Sequence, residues 1–177
     1  VDFDRPSIVF AAGYPVVPEL RLNGYYSRGP FLQELRAGML PAGTELSDFL
    51  QTVWGGEAVF ARGPATLRAE AFTNQWELPN VPDDVRDFSY SVEAAYKITA
   101  GLFAAARFGE IRFNELSELP GVRAAEDWDH DIRRIQLGAG YRFLRNTEFR
   151  VEYLFSRTDG PADPQDDLFS LQWWWSF

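Results

Sequence analysis

The C-terminal part of the chain alternates apolar and polar residues with a period of two. Between residues 169 and 177 the odd positions hold Phe, Leu or Trp, and the even positions hold Ser or Gln except at Trp174. Segments 147–157, 131–143 and 87–97 repeat the alternation, with Arg, Glu, Gln, Ser and Gly between the apolar residues. Because successive side chains of a strand point to opposite faces, the pattern predicts strands with one oily face and one ionic face.

Extending this pattern along the chain predicts nine strands. They are expected at 7–14, 18–28, 49–62, 65–77, 87–97, 101–113, 131–143, 147–157 and 166–177. The connections alternate in length, with short ones at 15–17, 63–64, 98–100 and 144–146 and long ones at 29–48, 78–86, 114–130 and 158–165. Short periplasmic turns and long extracellular loops are typical of outer-membrane barrels. The sequence therefore predicts an all-β fold, an antiparallel up-and-down transmembrane β-barrel of the bacterial outer membrane, with residues 1–177 as a single domain.

The alternative is a water-soluble antiparallel β protein with its apolar faces packed inside and its charges outside. Arg and Glu occur at similar depth on neighbouring predicted strands, as at Arg68, Glu93 and Arg107, which favours a lumen of compensating charges. The apolar faces also end in Trp and Tyr, as the aromatic belts of a membrane barrel do. Both observations favour the membrane barrel.

The number of strands raises a separate question. Single-chain bacterial barrels have an even number of strands, usually with both ends in the periplasm, whereas nine are predicted here. Either residues 7–14 do not span the membrane and the barrel has eight strands, or the chain is the C-terminal part of a larger barrel. We favour the second interpretation.

Composition excludes several classes of function. The chain has 177 residues, no cysteine and a formal charge of −9, which argues against thiolate metal sites, disulfides and nucleic acid as a partner. Its one histidine, His130, lies between two aspartates without a positioned serine or a second metal ligand, so we expect no enzyme and no cofactor. The acidic run 126–131 lacks the regular spacing of a calcium loop and is interpreted as a solvated loop near lipopolysaccharide.

The last seven residues, Leu171 to Phe177, resemble the signal by which the barrel assembly machinery recognises its substrates. Such signals have aromatic residues at the last and third-last positions, here Phe177 and Trp175, with Trp173 preceding them on the same face. Gln172 stands where a glycine is common. The resemblance implies that these aromatic residues direct assembly and that the machinery is a partner.

Residues 55–70 look like a hairpin of the phosphate-selective porin family, in which a Gly-x-Glu is followed by Gly-Pro and a strand ending in Glu. Here the corresponding residues are Gly55, Glu57, Gly63, Pro64 and Glu70. The resemblance implies a trimeric diffusion pore with a large barrel. The lysine-rich constriction of those porins is not visible, so phosphate specificity is not carried over.

These patterns predict a porin-like protein for passive diffusion of small polar solutes. The alternative is a non-conducting barrel that serves as an anchor or a partner-binding subunit. The predicted pore-lining residues are Arg21, Glu57, Arg68, Glu70, Glu93, Lys97, Arg107, Arg134, Arg142, Arg150 and Glu152.

The long loop 29–48 carries apolar residues that are unusual in a solvated loop. They are Phe31, Leu32, Leu35, Met39 and Leu40. Two interpretations stay open, a constriction folded into the lumen and a contact with another subunit. The expected partners are outer-membrane lipid and lipopolysaccharide around the barrel, with a homo-oligomer or larger membrane complex as a further possibility.

Overall fold

The structure is a computed structural model that describes residues 5–32, 40–81, 83–116, 126–160 and 166–176. The nine strands of its main sheet agree with the predicted bounds to within three residues at each end. The main strands are β1 (Ile8–Val17), β2 (Leu20–Pro30), β3 (Leu50–Arg62), β4 (Ala65–Trp76), β5 (Val85–Lys97), β6 (Leu102–Phe113), β9 (Ile132–Leu144), β10 (Thr147–Thr158) and β11 (Leu168–Trp175). A short hairpin, β7 (Glu115–Leu116) and β8 (Glu126–Asp127), and a 3-10 turn, η1 (Leu46–Asp48), lie in the connections.

The main sheet is an antiparallel meander in which each strand pairs with its neighbours in sequence. The order is β1-β2-β3-β4-β5-β6-β9-β10-β11, and the β7–β8 hairpin forms a separate two-stranded sheet. Alternating hydrophobicity favours one register for each strand pair, because a one-residue slip would move every apolar side chain of a strand to the wrong face. Among the described residues, no helix is long and apolar enough to cross a membrane.

Glycines make two of the short turns possible. Gly63, between β3 and β4, has a φ of +58°, and Gly101, before β6, has a φ of +109°. A side chain at Gly101 would also lie 2.7 Å from the carbonyl oxygen of Arg142. Since left-handed backbone favours glycine, these positions fix the tight ends of the β3–β4 and β5–β6 hairpins.

Large apolar side chains are exposed on this sheet and several polar side chains are buried, which is the reverse of a soluble β-sandwich. Within the described part of the chain, only Val85 and Leu116 are buried apolar residues, whereas large apolar side chains such as Phe10, Trp54 and Trp173 are exposed. The buried polar residues include Glu57 and Glu148. Exposed apolar surface on this scale is what a bilayer covers, so the structure favours the membrane barrel over the soluble alternative.

Both ends of the sheet are edges. In the described structure β1 pairs with β2 alone and β11 with β10 alone. Each edge strand thus presents one row of backbone N–H and C=O groups outward. Such edges matter in a membrane, because lipid offers these groups no hydrogen-bonding partner.

Candidate functional site

One side of the sheet, here called the polar face, carries all eleven of the predicted pore-lining residues. The cross-strand register shows this directly, since Arg21 aligns with Val59, Val59 with Arg68, and Arg68 with Glu93. The same parity continues through β6, β9 and β10. The residues placed together on this face are Arg21, Glu57, Arg68, Glu70, Glu93, Lys97, Arg107, Arg134, Arg142, Arg150 and Glu152.

A first network of charges on the polar face is centred on Glu57. Its carboxylate accepts hydrogen bonds from Asn23 Nδ2 at 2.6 Å, from Tyr25 Oη at 3.2 Å and from Arg68 Nε. The Arg68 guanidinium also lies 3.0 Å from Glu70 Oε1. Three donors on the two flanking strands, β2 and β4, thus converge on one buried carboxylate of β3, which satisfies its lone pairs.

The first network continues from Glu70 across two more strands. Arg107 Nη2 lies 3.5 Å from Glu70 Oε2 and donates to Ser91 Oγ at 3.1 Å. Glu93 lies directly opposite both Arg68 and Arg107 in the register. Ion pairs therefore link Glu57, Arg68, Glu70 and Arg107 across β3, β4 and β6, so that each of these four charges has an opposite charge beside it.

A second network is centred on Glu148, on β10. Arg142 donates to Glu148 Oε2 from Nε at 3.1 Å and from Nη2 at 2.6 Å, and Arg150 Nε donates to Oε1. On the other side, the register puts Trp174 next to Glu148. Trp174, which breaks the alternation of the last strand, therefore lies on the polar face.

Carboxylates and guanidiniums of the two networks differ in exposure. The side chains of Glu57 and Glu148 are 6% and 4% exposed, whereas those of Arg68 and Arg142 are 49% and 58% exposed. The short acidic side chains lie near the backbone, and the longer arginines extend beyond them. The surface that the polar face presents to solvent is therefore rich in guanidinium N–H donors.

The other predicted residues make weaker or more local contacts. Arg21 Nε donates to Asn23 Oδ1 at 3.0 Å, Gln136 Nε2 donates to Glu152 at 3.2 Å, and Arg134 Nε lies 3.5 Å from Ser156 Oγ. Lys97 is exposed at the end of β5, opposite Phe103. Arg21 is linked to Glu57 through Asn23, whereas the hydrogen bonds given above for Arg134 and Glu152 are with neutral side chains.

Sequence reasoning missed several polar partners on this face. Asn23, Tyr25 and Ser91 bind the charged groups, and Asn74 Nδ2 donates to the buried Asp87 Oδ1 at 2.8 Å. The available signal was their parity, because each lies on the same face of its strand as the predicted charged residues. The predicted set contained charged residues alone and therefore omitted these partners.

The acidic loop near His130 is described from residue 126 onward. His130 is exposed, and its backbone N–H donates to Asp129 Oδ1 at 2.8 Å. No group of three or more His, Cys, Asp or Glu side chains in the described ranges is placed to hold a metal ion.

The assembly segment is described up to residue 176. Trp173 and Trp175 are exposed on the apolar face, and Trp173 is 79% exposed. Phe177 lies outside the described residues, as do residues 33–39 of the apolar loop. The proposed assembly role of Phe177 and the packing of Leu35 and Met39 therefore stay predictions.

Comparison with known proteins shows the fold. No family model and no curated protein matches the sequence. Among solved structures, OmpT, an outer membrane protein of Vibrio cholerae, is similar with a TM-score of 0.62 and 15% identity over 84% of this chain and 44% of that chain. Its variant lacking loop L8 gives a TM-score of 0.68 and 17% identity over 93% and 51%. The outer membrane channel DcaP of Acinetobacter baumannii gives a TM-score of 0.61 and 11% identity over 89% and 45%.

The chain spans about half the length of these solved structures. At such low identity the likeness concerns the fold, and the resemblance of residues 55–70 to phosphate-selective porins stays a prediction. The sheet topology, the exposed apolar face and the solved neighbours agree with one another. The chain thus has the antiparallel up-and-down fold of bacterial outer-membrane β-barrels.

Proposed function

We propose that this chain forms part of the wall of a porin-like channel through which small polar solutes diffuse passively, without catalysis. The observation that carries the proposal is the exposure pattern of the polar face. Buried carboxylates hold half-exposed arginines in fixed positions, so that the face is both ionic and open to water. A packed barrel interior would instead bury both partners.

The two edges of the sheet support a barrel of more than nine strands. An unpaired strand edge in a bilayer leaves backbone groups without hydrogen bonds, at a cost of several kcal/mol for each group. We infer that further strands pair with β1 and β11 and close a barrel wider than nine strands. Wide barrels enclose water, whereas barrels of about eight strands are filled by their own side chains. One of the neighbours of similar fold is described as a channel.

The polar face should give the channel a mild preference for anions. Arg68, Arg107 and Arg142 project beyond the carboxylates that neutralise them, so a solute meets guanidinium groups first. The nearby carboxylates reduce the field, and for this reason the preference should be weak. The long connections carry acidic residues such as Asp83, Glu115 and Asp129, which give the outer mouth a negative charge that opposes this preference.

Conductance in planar lipid bilayers tests this proposal on the full-length protein. We expect stable steps and, in a salt gradient, a reversal potential that indicates weak anion preference. Arg68→Gln combined with Arg107→Gln should shift the reversal potential toward cation preference, because the carboxylates of Glu57 and Glu70 lose their partners. Arg62→Gln is the control, since Arg62 lies on the apolar face at the end of β3.

Two outcomes would contradict the proposal. Silence from demonstrably folded protein would favour the non-conducting barrel that acts as an anchor or partner-binding subunit. Equal shifts of the reversal potential in Arg62→Gln and in the double variant would show that the polar face does not line the conducting path.

A further inference from the structure

Three arginines on three consecutive strands of the sheet interrupt the apolar face near one end, where Arg28 on β2 and Arg86 on β5 share that face. Arg112 on β6, Arg133 on β9 and Arg157 on β10 share this face with Phe108, Ile135 and other exposed apolar residues. We call these three residues the outer arginine band. Charged residues on the lipid side of a barrel are costly at the bilayer midplane and tolerated near the interfaces. The position of the band therefore marks an interface.

The band lies at the end of the strands that carries the long connections. Residues 114–131 follow Arg112 and precede Arg133, and residues 159–167 follow Arg157. Long loops of outer-membrane barrels are extracellular. The band therefore faces the outer leaflet, whose lipid is lipopolysaccharide.

The cross-strand register brings like charges together in the band. Arg133 aligns with Arg157 on one side and with Glu110 on the other. Directly opposite side chains have Cβ atoms about 5 Å apart, and like charges in that relation destabilise a sheet. An anion bound between the two guanidiniums would attract both and would turn this repulsion into a net attraction.

The carboxylates beside the outer arginine band leave some of its guanidinium N–H donors available to a ligand. Glu110 is shared, with Arg112 Nε at 2.9 Å and Arg133 Nε at 3.3 Å from the same Oε1 atom. Asp159 lies 3.4 Å from Arg133 Nη2, and Asp167 lies 3.0 Å from Arg157 Nη1. Each guanidinium has five N–H donors, of which these pairs occupy a minority. Arg112 and Arg133 remain 57% and 52% exposed, whereas Glu110 is 4% exposed.

An apolar strip continues from the band toward the middle of the sheet. Phe108, Ile135 and Leu137 lie on the same face of β6 and β9 and are exposed. Cations above exposed apolar side chains match an amphiphile that has an anionic head and acyl chains. Arginine also binds phosphate through two parallel hydrogen bonds, which favours phosphate as the head group.

We propose that the outer arginine band binds the phosphate groups of lipid A, with the acyl chains of the lipid lying over Phe108, Ile135 and Leu137. The site lies on the opposite face from the candidate channel lining, so it does not depend on conduction. It would assign to the outer wall a specific lipopolysaccharide site between β6 and β10.

Native mass spectrometry of the full-length protein, folded in detergent and titrated with purified lipid A, tests this assignment. The test variant combines Arg112→Gln, Arg133→Gln and Arg157→Gln. The control combines Arg107→Gln, Arg134→Gln and Arg150→Gln, which removes the same charge from the same three strands on the polar face. The probes are bisphosphorylated lipid A, dephosphorylated lipid A, phosphatidylglycerol and inorganic phosphate.

We expect the test variant to bind bisphosphorylated lipid A at least about tenfold more weakly than the parent protein, because several charge-assisted hydrogen bonds are lost. The control variant should bind it as the parent does. Removing the phosphates from lipid A should weaken binding to the parent but not to the test variant.

Three results would overturn the assignment. Equal affinity of the parent and the test variant would show that the band does not bind lipid A. Phosphatidylglycerol binding as tightly as lipid A would indicate a general anionic-lipid surface. Full competition by millimolar inorganic phosphate would indicate a simple anion site in which the apolar strip takes no part.

Discussion

Glu148 offers the sharpest test of how the polar face is stabilised. Glu148→Ala removes the two hydrogen bonds from Arg142 and the one from Arg150, and leaves two arginines side by side without their carboxylate. A hydrogen bond to a charged group contributes about 1.5–3 kcal/mol when it is well shielded. Both guanidiniums are about half exposed and can be rehydrated, so we reduce the total loss to roughly 1–3 kcal/mol.

Glu152→Ala is the matched control. Glu152 lies on the same strand and the same face, and it accepts one hydrogen bond, from the neutral Gln136 at 3.2 Å. Its loss should cost about 0.5–1.5 kcal/mol. The two variants thus compare a carboxylate between two arginines with a carboxylate beside an amide, at the same change in side-chain size and charge.

Urea unfolding of the protein in lipid vesicles, followed by tryptophan fluorescence, measures the free energy of unfolding of both variants. An equal dependence on urea concentration would show that the unfolding transitions are comparable. The double variant Arg142→Ala with Glu148→Ala should lose less than the sum of the single losses, because one interaction is removed twice. If Glu148→Ala costs no more than Glu152→Ala, the reasoning about the second network is refuted.

Two further changes test packing and assembly. Gly140→Ala would place a methyl group into the ring of Phe103, which lies opposite it in the register. This variant should lower the free energy of unfolding by about 1–3 kcal/mol in the same urea assay. Gly24→Ala is the control and should be near neutral, because its methyl group would meet no atom within 4 Å. A near-neutral Gly140→Ala would show that the Phe103 ring is free to move. Trp173→Ser with Trp175→Ser should reduce several-fold the heat-modifiable barrel recovered from outer membranes, and Trp174→Ser, which changes the opposite face, should retain it. Equal recovery of the Trp173→Ser with Trp175→Ser variant and of the Trp174→Ser variant would contradict the assembly role.

The strands could be predicted because alternation records which face meets lipid. A chain that must present Ile135, Leu137 and Tyr141 to one side and Arg134, Gln136 and Arg142 to the other has few options besides a strand. The hairpin β7–β8 was not predicted, since each of its strands has two residues and alternation needs a longer segment. The length of an alternating segment therefore decided whether its strand could be predicted.

Pairing across strands was harder to predict than the faces. Alternation places Glu148 and Arg142 on one face, but their contact depends on the register that the turn at residues 145–146 imposes. The outer arginine band was missed for a related reason. Arg112, Arg133 and Arg157 are distant in sequence, and only the register shows that they lie close together on one face of the sheet.

The neighbour-only order of the meander has a consequence for how such walls change size during evolution. Each hairpin is tied by hydrogen bonds to the strands directly before and after it, and no strand of the main sheet bridges across a hairpin of that sheet. Duplication or deletion of one hairpin therefore alters the circumference by two strands and leaves every other register intact. The charged networks are local to a few adjacent strands and would survive such an event. Selectivity and diameter can thus evolve separately in this architecture.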